Sequence, residues 1–191
     1  EGFRAVRSDP ALLGLMLIFS SISLCVAGPI AIGLAAMAKF RFGSAAAFGT
    51  LLSCFSGGTL VGVLLGGQVK RPRKRGLQFI FMSGLCGLEL IAIGLVPKLA
   101  VIATLLALMG LGVGFVNVQF SAWLQMRVDR ALLGRVMSVL MFSAAGLVPV
   151  SYAAAGFLAK WSLPAMFITA GALLATISAL TVTGRAAREI D

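Results

Sequence analysis

The sequence predicts an all-α membrane protein: six transmembrane helices with both termini cytoplasmic. Three observations carry that expectation. First, 60% of the 191 residues are hydrophobic and only 12% are charged, against about 45–50% and about 25% in an average soluble domain. Second, the apolar residues fall in six continuous runs, and about 20 such residues suffice to cross a hydrocarbon core about 30 Å thick. Third, the basic residues gather in the short breaks between the runs. A soluble fold of similar length buries only about 70% of the surface its unfolded chain exposes. The excess apolar surface therefore needs lipid around it.

Residues 1–10 form a linker with Arg4 and Arg7, expected on the cytoplasmic side. The first span covers 11–38 and contains Gly28-Pro29, a pair that membrane helices tolerate. It lacks the short apolar core and small-residue cleavage site of a signal peptide. The second span, 44–68, places Gly58, Gly62 and Gly66 four residues apart on one face. Small residues at this spacing let two helix backbones approach closely. The third span is 77–96, the fourth 99–125, the fifth 136–159 with Pro149, and the sixth 163–183, followed by a cytoplasmic tail, 184–191. Barrel strands would alternate in polarity over about 10 residues. These runs do not alternate, and lipid leaves helices as the only other spanning structure.

Orientation follows from the cations. One side holds Arg4, Arg7, Lys70, Arg71, Arg73, Lys74, Arg75, Arg127, Arg130, Arg135, Arg185 and Arg188; the other holds Lys39, Arg41, Lys98 and Lys160. Twelve against four places the richer side in the cytoplasm. Phe40, Phe42 and Trp161 are expected at the outer interface and Trp123 at the inner one. No connection is long enough to hold a domain, so function is expected inside the bundle or on its cytoplasmic rim.

Few polar residues lie within the runs. Glu89 is the only acid there. Ionisable groups at such depth are costly and usually face a bundle interior or a wet cavity, which makes Glu89 the candidate for proton coupling. A carboxyl bonded to a neighbouring helix is the structural alternative. The fourth span carries Gly110, Gly114, Asn117, Ser121 and Gln125, which share one helix face at 3.6 residues per turn. That stripe is expected to face a cavity or a partner helix, with Gln119 pointing away from it. Ser53 and Tyr152 are further pathway candidates. Most intramembrane Ser and Thr residues are expected to bond back to their own helix.

Several function classes drop out. The net charge of +10 and pI near 10.9 would fit a nucleic-acid binder in a soluble chain, but here the cations serve topology. The chain has no His, and Cys25, Cys54 and Cys86 are scattered through apolar runs. No metal or cofactor site is expected. Neither paired acids nor a nucleophile with its base is present, so no enzyme is expected.

Two basic loops carry a family resemblance. Residues 66–76 read GGQVKRPRKRG and residues 125–138 read QMRVDRALLGRVMS. Both resemble the C-terminal half of a major facilitator superfamily transporter. Gly66, Gly67, Arg71, Arg73, Lys74, Arg75 and Gly76 match the degenerate second copy of that superfamily's cytoplasmic loop motif. Asp129, Gly134 and Arg135 match the approach to its eleventh helix in the macrolide-efflux and siderophore-exporter branch, also called transmembrane secretion effectors. The opening EGFRAVRSDPALLGL resembles that branch's central linker, and Gly146, Pro149 and Gly156 fit the eleventh helix. The motif normally carries an Asp after its glycines; Gln68-Val69-Lys70-Arg71 has none, so the acid–base latch is not carried over.

The resemblance implies half of a twelve-helix protein in a bacterial inner membrane. It implies proton-coupled efflux of small amphipathic compounds such as drugs, macrolides or siderophores by alternating access. The partners implied are lipid, a missing N-terminal six-helix half, a small-molecule substrate and protons, with no nucleic acid. The third span would be peripheral and the first, second, fourth and fifth would line the cavity, favouring Asn117, Ser121 and Gln125 over Glu89. Import of a small solute, and a half-size protein that homodimerises into a channel or transporter, are the alternatives. The first residue, Glu1 rather than Met, is what a fragment or processed chain would show.

Overall fold

The structure, a computed structural model, describes residues 10–69 and 75–183. Nearly all of these are helical, and no strand occurs among the described residues. Six helical spans are long and apolar enough to cross a membrane: Leu12–Phe40, Ala45–Gln68, Gly76–Leu95, Leu99–Arg127, Leu132–Trp161 and Leu163–Thr181. Each expected span is found, with ends moved by at most four residues. The helices run on past the apolar runs, as at Met126 and Arg127 at the end of the fourth span.

The first span is α1 (Pro10–Gly28), a π-helical turn (Pro29–Gly33) and α2 (Leu34–Phe40). Single spans follow: α3 (Ala45–Gln68), α4 (Arg75–Leu95) and α5 (Leu99–Arg127). The fifth span is α6 (Arg130–Gly146) joined through Leu147 to α7 (Val148–Trp161), and the sixth is α8 (Leu163–Thr183). The turn after α2 reverses at Gly43, whose φ of +62° suits a residue without a Cβ.

The spans pack as three pairs. In the tightest, α3 lies on α5. A Cβ at Gly58 would strike the Ala107 carbonyl, one at Gly62 the Leu111 carbonyl, and one at Gly66 would sit 3.0 Å from the Phe115 carbonyl. From the other side, Gly110 and Gly114 admit the Phe55 and Thr59 carbonyls. Residue numbers rise together on the two helices, so they run parallel. In the second pair, Gly87 on α4 faces Gly171 and Ala175 on α8, and Gly94 faces Pro164. Numbers run oppositely there, so these two are antiparallel. In the third, Gly28 on the first span takes Ser151 and Ala155 of the fifth, and Gly156 follows opposite Ile32. That pair is parallel. Lipid offers no hydrophobic drive between helices, so close backbone contact at small residues supplies the cohesion.

These directions alternate along the chain, which brings the first and last described residues to the same end of the bundle. The pairing also has a symmetry. Exchanging the first three spans with the last three turns the pair 1·5 into 4·2 and leaves 3·6 unchanged. The parallel pairs stay parallel and the antiparallel pair stays antiparallel. The lesser contacts of span 1 with span 6 and of span 4 with span 3 also interchange. This pairing is the one that two inverted three-helix repeats would give, although the contact between spans 5 and 6 has no equal between spans 2 and 3.

Polar side chains fasten all three pairs. Ser151 accepts a hydrogen bond from the Gly28 N–H at 2.8 Å and donates one to the Leu24 carbonyl at 2.6 Å. Those backbone groups lie four residues apart and would bond each other in an uninterrupted helix. The hydroxyl thus bridges two backbone groups of the first span beside Pro29, which provides no N–H and where the π turn begins. Proline is an identifiable cause of irregular turns in long helices. Gln119, 3% exposed, donates from Nε2 to the Gly66 and Val69 carbonyls at 2.9 and 3.2 Å, capping the C-terminal end of α3. Ser178 donates to Ser83 at 2.9 Å between α8 and α4.

The core divides in two. A larger apolar cluster around Leu34, Met37, Leu51, Leu90, Ile102 and Phe167 fills the half containing the α2–α3 turn. A smaller one around Leu12, Phe79, Trp123, Leu124, Val136 and Leu140 fills the other half. Phe40 and Trp161 project outward, 74% and 80% exposed, as interface residues should. Trp123 does not: it is 6% exposed with the Arg127 guanidinium 5.2 Å over its ring, because its side of α5 packs into the smaller cluster.

Candidate functional site

A cavity of about 410 Å³ opens between the two apolar clusters, where the three helix pairs meet. Cys86 and Met109 on its wall belong to the larger cluster; Phe79, Val116, Phe120 and Leu140 belong to the smaller. Its walls come from α1, α4, α5 and α6. The second span contributes nothing to this wall because glycine contacts seal it against α5. The third span, expected at the periphery, supplies Phe79, Met82, Ser83, Cys86 and Glu89.

The lining is apolar with a few polar groups. Phe19 and Phe120 close one side, their rings 4.2 Å apart at 42°. Met82, Met109, Met137 and Met141 line the remainder; thioether side chains are flexible and adapt to irregular shapes. The polar groups are Ser23, Ser83, Glu89, Asn117 and Ser121. Glu89 is 8% exposed and makes no hydrogen bond or ion pair to another described residue. No Lys or Arg among the described residues lines the cavity. Its mouth is flanked by exposed apolar residues: Leu85 (39%), Leu108 (52%) and Met141 (63%).

The expected pathway residues separate. Asn117 and Ser121 reach the cavity, Ser121 also donating to the Asn117 carbonyl at 2.9 Å. Gln125 is exposed on the last turns of α5, Ser53 is exposed on α3, and Tyr152 is 41% exposed on α7; none lines the cavity. The stripe on α5 divides because its glycine portion is occupied by α3, which leaves Asn117 and Ser121 on the border between that contact and the cavity. Glu89, ranked below them on resemblance, lies on the same cavity wall.

At the end of the bundle shared by the two motif loops, Gly66 is buried against α5, Gly67 has open space around it, and Gly76 is buried at the start of α4. Asp129 is exposed and immediately precedes α6; its backbone carbonyl accepts from the Leu132 and Leu133 amides at 2.9 and 3.0 Å. Gly134 and Arg135 are exposed one turn further on. Arg71, Arg73, Lys74 and the side chain of Arg75 lie outside the described residues.

The inter-helix bonds of Gln119, expected only to point away from the stripe, and of Ser151 were not visible in the sequence. A signal for Gln119 existed in register: Ala107, Leu111 and Phe115 meet Gly58, Gly62 and Gly66, and the next residue in that row is Gln119. The signal becomes readable only once α3 and α5 are known to be partners.

Fold and site together define a multi-pass membrane protein, a six-helix bundle around an intramembrane cavity. No family model, curated protein or solved structure matches the chain.

Proposed function

We propose that the chain is one six-helix half of a secondary transporter of the major facilitator type, exporting small amphipathic compounds by alternating access, with protons as the driving ion. The observation that carries this is the exchange symmetry of the three helix pairs around the cavity. Inverted three-helix repeats with a binding site near the midplane are a recurrent plan of secondary transporters. The two apolar clusters support the same reading, since each stands between the cavity and one end of the bundle. Loosening one while the other holds would open the cavity to one side at a time. The cation asymmetry supports a cytoplasmic position for both ends, and the loop motifs supply the resemblance to the exporter branch.

The test is efflux from cells producing the protein together with the N-terminal half encoded upstream. Such cells should accumulate less of a lipophilic fluorescent dye than cells without it, and a protonophore should abolish the difference. Equal accumulation in both cells would contradict export. A difference untouched by the protonophore would contradict proton coupling. A reading frame with no further spans upstream would replace the half-transporter with a self-pairing six-helix protein.

A further inference from the structure

We propose that the cavity is a binding site for a lipophilic monocation, held by Glu89 within this single six-helix chain. The inference deepens the transporter reading by naming its substrate class, and rests on that reading for the passage of the ligand but not for its binding.

Glu89 is the starting point. The residue is 8% exposed, its side chain borders the cavity, and it has no hydrogen-bond or ion-pair partner among the described residues. Buried charges in proteins are paired or they are neutralised, and no described basic residue lines this cavity to pair with it. The place open to a countercharge beside Glu89 is the cavity itself. A cation placed there would meet one carboxylate, which fits a single positive charge and excludes anions.

The remaining walls select what surrounds that charge. Phe19, Phe79 and Phe120 offer aromatic faces and edges, and ring faces attract cations most strongly where water is excluded. The methionines yield to different shapes, as at other promiscuous apolar sites. A volume of about 410 Å³ lies within the range of about 300–1,000 Å³ of small-molecule pockets. The rim of Leu85, Leu108 and Met141 is apolar and exposed. A cation that partitions into lipid therefore meets a compatible surface before it reaches the acid.

The experiment uses the purified full chain in lipid nanodiscs and radiolabelled tetraphenylphosphonium in equilibrium dialysis. Saturable binding of one cation per chain is expected. The neutral triphenylphosphine oxide should displace it at least tenfold less well than unlabelled tetraphenylphosphonium. Glu89→Gln should weaken binding at least tenfold, and Glu89→Asp by less. Leu108→Trp, which narrows the mouth from a different helix, should also weaken it at least tenfold, and thermal unfolding verifies that each variant is folded. Unchanged binding by folded Glu89→Gln, or equal displacement by the neutral compound, overturns the proposal. If binding depends on Glu89 but no efflux occurs, the transporter reading fails and this site stands. Efflux that ignores Glu89 and favours neutral compounds has the opposite meaning.

Discussion

In an apolar medium, a hydroxyl that joins two helices has no water competing for its partners. Ser151 is in that position, with the Gly28 amide and the Leu24 carbonyl both on one oxygen. Ser151→Ala leaves those two groups at the π turn without the bridging side chain. A loss of about 0.6–2 kcal/mol is expected, read as a lower unfolding temperature in detergent. An unchanged midpoint would show that the turn satisfies itself. At this scale the sequence was only partly legible. Glu89 and Asn117 announce themselves because polar groups in apolar runs are rare. Ser151 looks like any serine that bonds back to its own helix, as Ser121, Ser138 and Ser143 do. What distinguishes it is its contact with another helix more than 100 residues away, and nothing in its own neighbourhood records that.

Elements were more legible than residues. Each span was readable from its apolar run, since lipid imposes the helix whatever the local propensity. Partners were not: the glycine rows at 58–62–66 and 110–114 announce close packing without stating against what. The structure shows them meeting each other in parallel register, each glycine admitting a backbone carbonyl of the other helix. Gly62→Val should therefore destabilise the bundle by about 1–3 kcal/mol, the usual cost of overpacking. Gly57, one turn earlier on a face with nothing within 4 Å, should accept Val with little change. Comparable unfolding midpoints for the two variants would mean that the α3–α5 contact is looser than described. The Gly28-Pro29 pair was visible in the first span, but the π turn that follows it, held by the fifth span, required the partner.

For the molecule as a whole, length, span number and charge asymmetry were readable directly, because they depend on composition and spacing alone. The symmetry of the three pairs was not, as it resides in which helices touch. The cavity followed from that pairing in a way the resemblance did not anticipate. With the second span zipped against α5, the wall is completed by the third span and its acid. If the cavity is a solute pathway, it must become accessible to aqueous solutes in at least one state. Asn117 is the residue best placed to report this, being exposed and on the cavity wall. The decisive measurement is the labelling of Asn117→Cys by a membrane-impermeant thiol reagent, in a variant with Cys25, Cys54 and Cys86 replaced. Reaction that slows when tetraphenylphosphonium saturates the protein is the expected result. A cysteine at 117 that stays unreactive in folded protein, with and without ligand and from either side of the membrane, would contradict a transport pathway through this cavity.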